Sequence, residues 1–377
     1  MTEAQELLRN SVREFAEKEI EPIAAEHDKT MEYPIETVKK MGEMGLMGML
    51  VPKEYGGGGT DTVSYAIAIE EISRADASHG LIMSVHSSLV CPIILNYGTE
   101  EQRKRYLPHL AKGEYIGAFA LTERGAGTDA ASLQTVAVKE GDHYLLNGSK
   151  IFITSAKEAK VFIVFAKTDP EAGHKGISAF IVEGGSEGLS FGEVLDKMGV
   201  RCSGQREVFF KDLSVPEENL IGKEGDGYKI ALSSLDSGRI GIGAQAVGIA
   251  QAALDESIKY SMEREQFGRP IAKFQAIQWM IAEMATKIEA ARLLVYRAAY
   301  ARDTQKRFSM EASMAKYFAS EVAREATNYA VQIHGGYGYI KDYPIERVYR
   351  DARIIAIYEG TNEIQKLRIA GELLKGR

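Results

Sequence analysis

Between Pro270 and Gly335 stand 64 consecutive residues with neither glycine nor proline, rich in Ala, Met, Glu, Lys and Arg. In a helix interior glycine costs about 1 kcal/mol and proline about 3 kcal/mol relative to alanine, so a run this long without either is built for long helices. Ile277, Met280, Ile281, Met284, Ile288, Ala291, Leu294 and Val295 recur at three- and four-residue spacings, the pattern of a bundle helix with one buried face. Residues 223–377 are therefore read as a helical bundle.

Two other stretches read differently. Residues 1–118 carry helical periodicity in shorter pieces, beginning with the stripe Leu7, Leu8, Val12, Phe15, Ala16, Ile20 and Ile23. Pro22, Pro34, Pro52, Pro92 and Pro108, with the Gly56–Gly59 run, are expected to break this part into several helices. From 119 to 222 the period shortens to two. His143–Leu146 and Lys150–Thr154 flank Asn147-Gly148, the dipeptide that most favours a hairpin turn. Val161–Ala166, Ile177–Val182 and Val208–Phe210 supply further strands. The expected architecture is α+β and multidomain: an N-terminal all-α domain (1–118), a middle antiparallel β-barrel or sandwich (119–222) and a C-terminal helical bundle (223–377).

Composition removes several function classes. With 53 acidic against 46 basic side chains the chain is mildly acidic, without the basic stripes that non-specific nucleic-acid binding needs. Its two cysteines, Cys91 and Cys202, make neither a zinc site nor a disulfide framework and read as free thiols in a reducing compartment. The seven histidines are scattered without a metal-ligand spacing, and no G-x-S-x-G elbow occurs. The first residues lack the basic and apolar regions of a signal peptide, and no window approaches the roughly 18 uninterrupted apolar residues of a membrane span. The expectation is a cytoplasmic protein without a membrane segment.

Three glycine-containing segments could carry chemistry. Phe119-Ala-Leu-Thr-Glu-Arg-Gly-Ala-Gly-Thr-Asp-Ala130 holds G-x-G-x-x-A, but helical sequence precedes it and β sequence follows, which is not the βαβ setting of a dinucleotide fold. A ligand-approaching loop and an ordinary glycine-rich turn both remain open. Gln332-Ile-His-Gly-Gly-Tyr-Gly338 and Tyr358-Glu-Gly-Thr-Asn-Glu363 interrupt helical sequence with polar turns, as ligand-contacting loops do. Set against this, a single Glu such as Glu359 is ordinarily a solvated carboxylate, and a single His such as His334 ordinarily a structural one.

Those loops, in this order on a three-part frame, resemble the acyl-CoA dehydrogenase family, most closely its short-chain, butyryl-CoA dehydrogenase-like branch. The similarity runs along essentially the whole chain. It includes Tyr55-Gly-Gly, Thr122-Glu-x-Gly-Ala-Gly-Thr-Asp129, Asn147-Gly-x-Lys-x-Phe-Ile-Thr154, Leu235-Asp-x-Gly-Arg-Ile240, Glu263-Arg-x-Gln-Phe-Gly268, Gln332-Ile-x-Gly-Gly-Tyr-Gly338 and Tyr358-Glu-Gly-Thr-Asn-Glu-Ile-Gln365.

The resemblance implies a C-terminal four-helix bundle, with FAD between it and the β domain and across a subunit interface. It also implies a homotetramer, an acyl-CoA substrate and re-oxidation by electron-transferring flavoprotein. Glu359 matches the base that removes the α-proton while flavin N5 accepts the β-hydride, which demands a carboxyl group whose pKa is raised by burial. Gly360 lets the backbone pass close to the thioester. Phe119, Leu121, Thr122, Gly127 and Thr128, with Phe152, Ile153 and Thr154, match positions around the flavin. Arg264, Gln275, Gln332, Ile333, Gly335, Gly336, Thr361 and Glu363 match dinucleotide contacts, some of them made in a neighbouring subunit. Thr128, Asp236 and Arg239 match positions beside the acyl-CoA, and no metal is implied.

The chain departs from the family pattern at Arg124, usually Pro, at Thr128, usually Ser, and at Ser155-Ala156, usually Asn-Gly. Arg124 and Ser155-Ala156 are expected beside flavin and thioester, where they bear on substrate choice. A branched, cyclic, aryl-propanoyl or dicarboxylic thioester, or the reverse enoyl reduction, therefore stands beside a straight short chain. A flavin-free helical scaffold or binding protein is the reading from another class.

Overall fold

A computed structural model describes residues 1–374, so the last three residues of the 223–377 unit lie outside it. The N-terminal part folds as α1 (Glu3–Phe15), α2 (Glu21–Thr30), α3 (Ile35–Glu43), α4 (Thr62–Ala75), α5 (Ala77–Ser84), α6 (Cys91–Tyr97) and α7 (Glu100–Ala111). Only Pro34 and Pro52 separate helices. Pro22 and Pro92 sit at the first positions of α2 and α6, directly after the π-helical turns Ala16–Ile20 and Val85–Val90, and Pro108 lies inside α7. Proline lacks an N–H and its ring crowds the carbonyl four residues back; a wider turn relieves both, so the helical path continues. Through the π turn the buried stripe runs at every fourth residue, Val12, Ala16, Ile20 and Ala24, while Leu7 in α1 is exposed. The helical run Ala77–Tyr97 is long and apolar enough to cross a membrane, and 94% of its most apolar window is buried inside the protein.

The middle part is one sheet of eight strands: β1 (Gly117–Ala120), β2 (Val136–Glu140), β3 (His143–Ile153), β4 (Val161–Lys167), β5 (Ile177–Glu183), β6 (Leu189–Phe191), β7 (Arg206–Pro216) and β8 (Leu220–Ile221). The order is β6-β7-β3-β2-β4-β5-β8, with β1 also on β4. Most pairs are antiparallel, but β1 and β2 both run parallel to β4. β1 also crosses the boundary read at 118, because it follows the α7 helix directly into the sheet.

Asn147-Gly148 is not a hairpin turn. It is a bulge inside the unbroken strand β3, where the Asn147 amide exchanges two hydrogen bonds with Asp212 across the ladder at 2.9 and 3.0 Å. Glycine is needed there for a close approach: a Cβ on Gly148 would lie 2.6 Å from Thr135 Oγ1. The reversal between β2 and β3 falls instead at Gly141-Asp142.

The C-terminal part comprises α8 (Gly227–Glu263), α9 (Gln275–Thr304), α10 (Ser309–His334), α11 (Ile345–Ile355) and α12 (Asn362–Leu374). Three long helices thus pack together, and two short ones complete the bundle. The expected stripe on α9 is observed, with Met284, Ile288, Ala291 and Val295 buried. α8 is buried along most of Ser234–Ala253 because it also packs against α4 of the first domain. The three parts are further joined by buried polar contacts. Val200 N donates to Asp351 Oδ1 at 2.6 Å, and Arg350 pairs with Asp28 at 2.7 Å. Cys202 Sγ faces Asp76 at 3.9 Å, while Asp76 holds His79 Nδ1 at 2.7 Å and Thr37 holds the other ring nitrogen. Both cysteines are buried and unpaired.

Candidate active site

The turn between α11 and α12 carries Glu359 with φ +50°, a conformation a non-glycine residue adopts only when its surroundings force it. Both carboxyl oxygens are buried without a hydrogen-bond partner. Directly opposite, in α8, Gly238 leaves the space the carboxyl group occupies: a Cβ there would lie 2.1 Å from Glu359 Oε2. Burial pushes the Glu359 pKa up to about 7, against the pull of Arg239 and Lys316. A buried carboxyl group poised near neutrality and without a hydrogen-bond partner is what general-base chemistry requires.

Arg239 is buried, passes close to Gly360 and pairs through Nη1 with Asp236 Oδ1. Asp236 is itself fully engaged, taking Arg368 Nη2 at 3.0 Å and Ser309 Oγ on its other oxygen. Asp236 thus orients two arginines, Arg239 and Arg368. Thr361 caps α12 by accepting from Ile364 N, and Glu363 is exposed on the first turn.

A second strained segment faces outward from the sheet. Phe152 has φ +61° and is 62% exposed, and Ser155 has φ +57°. Thr154 is buried, its Oγ1 accepting from Gln205 Nε2 at 2.9 Å. Ser155 turns inward to Tyr33, Oγ to OH at 3.1 Å, and Ala156 is fully buried, so neither side chain of this departure reaches a ligand at the surface. Arg124 donates through Nε and Nη2 to Glu207, at 2.8 and 2.7 Å, and is otherwise exposed.

The Thr122–Thr128 loop is fixed from below. Lys150, fully buried, donates to Leu121 O at 3.1 Å and Glu123 Oε1 at 2.7 Å; Glu123 also accepts from Gln134 N, Thr135 N and Thr135 Oγ1. Thr122 is half-buried while Gly127 and Thr128 stay open to solvent. Lys150→Met would leave Glu123 buried without its cation, and is expected to lower stability by about 3–5 kcal/mol, read as a large drop in Tm.

Not every matched position presents its side chain. Leu121, Ile153 and Ile333 are core residues, which leaves their backbone to a ligand, whereas Phe119 is half-buried and packs on Phe165 at 5.2 Å. A third group gathers at the far end of the bundle. Arg264, at the end of α8, lies over the Tyr337 ring at 5.4 Å; Gly335 and Gly336 face open space; Gln332 and Gln275 are exposed nearby in sequence on α10 and at the start of α9. His334 stacks on Tyr260 at 4.3 Å and donates to Ala330 O, the structural alternative.

Sequence reasoning quoted Gly238 and Gln365 within motifs without giving them a role, and passed over Lys316 and Arg368. Lys316 was detectable: Ala312, Lys316, Ala319 and Ala323 fall on one helical face, and a lysine in an apolar stripe marks a buried charge.

Three family models match in tandem: the acyl-CoA dehydrogenase N-terminal domain over residues 2–114, its middle domain over 118–213 and its C-terminal domain over 225–374. The chain belongs to the acyl-CoA dehydrogenase family. It is 54% identical to the short-chain specific acyl-CoA dehydrogenase of Clostridium acetobutylicum, covering 100% of this chain and 99% of that one. It is 53% identical to a 3-(aryl)acrylate reductase of Clostridium sporogenes, covering 99% of each. Butyryl-CoA dehydrogenase from Megasphaera elsdenii superposes with a TM-score of 0.97 at 45% identity, over 100% of this chain and 99% of that one. An acyl-CoA dehydrogenase of Bacillus anthracis complexed with FAD gives 0.94 at 39% identity, over 100% and 67%. This member is thus a flavoprotein oxidoreductase.

Proposed function

We propose that this acyl-CoA dehydrogenase oxidises a short straight-chain acyl-CoA to its trans-2-enoyl-CoA, with Glu359 as the base. The observation that carries the reading is the buried, unpartnered Glu359 carboxyl group held near neutral pKa against Gly238. An α-proton is weakly acidic, so the base must be ionised at working pH yet desolvated enough to want the proton. The same reading assigns the thioester oxygen to the backbone N–H groups of the left-handed Glu359–Gly360 turn.

FAD, the family's cofactor, supplies the hydride acceptor when bound. The residues fit it. Phe152 and the Thr122–Thr128 loop offer an exposed ring-sized face with open glycines, and Thr154 a hydroxyl fixed by Gln205. Arg264 with the open Gly335-Gly336 turn and the start of α9 suit a diphosphate and its nucleoside. Gly335 closes α10 19 residues after Lys316, which holds the Glu359 turn, so the two groups are separated by about 28 Å along that helix. That separation of the two groups favours completion of each site by a second copy and hence the homotetramer. Exposed Phe267, Trp279 and Tyr339 flank the Arg264 end, apolar surface that a copy would cover. Electron-transferring flavoprotein as acceptor and a cytoplasmic setting belong to the same reading.

The near-equal identity to the 3-(aryl)acrylate reductase favours a second reading, the reverse reaction on an aryl or short acrylyl thioester. A panel of straight, branched, cyclic, aryl and dicarboxylic thioesters separates the two. Fastest anaerobic flavin bleaching by butyryl-CoA supports dehydrogenation; faster re-oxidation of reduced enzyme by an acrylyl thioester supports the reductase, and a colourless protein would end both. Arg264→Ala is expected to lose FAD on gel filtration; full FAD occupancy would count against the shared site.

A further inference from the structure

Beneath the Glu359 turn, Lys316 is fully buried on the inner face of α10. Its Nζ donates to the Gly360 carbonyl at 2.8 Å and to Asn362 Oδ1 at 3.2 Å. Gln365 Nε2 donates to the same carbonyl at 2.8 Å, and Asn362 is held in turn by Ser320 Oγ at 2.8 Å and Glu321 Oε1 at 2.7 Å. The peptide after the base is therefore clamped from two helices, and that clamp explains how a glutamate persists at φ +50°.

A neutral donor could hold a carbonyl. An ammonium group is a costly choice in a dry interior, and burial lowers the Lys316 pKa to about 7. What the charge adds is a field on its neighbours. Glu359 is faced by Lys316 from α10, Arg239 from α8 and the Tyr65 hydroxyl from α4, with Tyr358 beside it in the chain. Lys316 is faced by Glu359, by Glu363 on α12, by Glu321 on its own helix and by Arg239. Arg239 pulls on Glu359 more strongly but is paired with Asp236, whereas Lys316 alone joins a pull on the carboxyl group to a hydrogen bond on the turn that carries it.

We propose that Lys316 is a positioning residue for the base: it fixes the left-handed Glu359–Gly360 turn through the Gly360 carbonyl and lends the carboxylate a cation that sets the pH range of the reaction. The inference rests on Glu359 being the base. A nearby cation favours the ionised carboxyl group, so removing it raises the Glu359 pKa and moves the acid limb of the rate profile to higher pH.

The test uses holoenzyme, anaerobic butyryl-CoA and stopped-flow bleaching from pH 5.5 to 9.5. Lys316→Met is expected to move the acid limb up by about one unit, so that it loses about tenfold more rate at pH 6 than at pH 9. Lys316→Arg keeps the charge and is expected to restore the limb while remaining slower at every pH. A Lys316→Met limb that superposes on the parent's, or a loss uniform across pH, overturns the proposal. Should Lys316→Met yield no holoenzyme, Asn362→Ala decides, since it loosens the ammonium and keeps its charge: a slower reaction with an unmoved limb supports the clamp, and a native rate overturns it. Glu359→Gln run alongside separates the failures. If it bleaches at the native rate, the base assignment falls; if it is inert while Lys316→Met behaves as parent, only the role of Lys316 falls.

Discussion

Glu359→Gln is expected to retain FAD and fold, yet to bleach with butyryl-CoA more slowly by about 10²–10⁴-fold, the usual contribution of a positioned general base. The amide is nearly isosteric, so FAD content and thioester affinity should stay close to parent, which confines the loss to the proton-transfer step. In the parent, the same rate is expected to fall as pH drops below about 7, because the protonated carboxyl group cannot accept the α-proton. That limb should vanish in the variant. Stability should move the opposite way. A carboxyl group whose folded pKa is raised binds its proton more tightly in the native state, so the protein loses stability as pH rises from the unfolded value toward about 7. Glu359→Gln removes that cost and should be more stable than parent at pH 8, on the order of 3 kcal/mol, with the difference gone by pH 4. Equal Tm at pH 8 would show that burial does not raise the Glu359 pKa, and bleaching at the native rate would show that Glu359 is not the base.

How far these features could be read from residues alone depended on whether the signal was periodic. The long helices of the bundle and the three-part order were plain, since a 64-residue stretch without helix breakers and a change to period two are properties of many residues at once. Single-residue punctuation was less dependable. Pro22 and Pro92 were expected to end helices, but a π turn ahead of each absorbs the missing N–H. Asn147-Gly148 is expected from sequence to turn the chain, but the ladder on both sides carries β3 through it as a bulge and uses the glycine for close approach to Thr135. Among site residues, the motif located the loops and not the side chains. Leu121, Ile153 and Ile333 face the core because alternation, not the motif, decides which way a side chain points. The departures at Arg124 and Ser155 read as substrate determinants in sequence, and each has a partner within the chain that sequence does not show, Glu207 for the one and Tyr33 for the other.

Gly238→Ala tests the geometry of the site and is expected to have the largest effect of any substitution that leaves the carboxylate present. An alanine Cβ would lie 2.1 Å from Glu359 Oε2, 2.9 Å from its carboxyl carbon and 2.8 Å from Leu89 Cδ2. No backbone atom is among these nearest neighbours; the nearest are the ends of two flexible side chains. The fold can therefore accommodate the methyl group by moving them, and alanine is the better helix former by about 1 kcal/mol, so Tm should hold or rise slightly. The base, however, has to leave its place. A displacement of about 1 Å at a reacting group costs about 10²-fold, and flavin reduction by butyryl-CoA should fall by at least that much with FAD content unchanged. Gly243→Ala is the matched control on another face of the same helix, where the nearest atom, Val295 Cγ2, is 3.0 Å away. It should leave the rate near parent. Parallel losses in both variants would place the effect in the helix; a native rate in Gly238→Ala would show that the Glu359 carboxyl group does not need the space Gly238 provides, and so does not work from there.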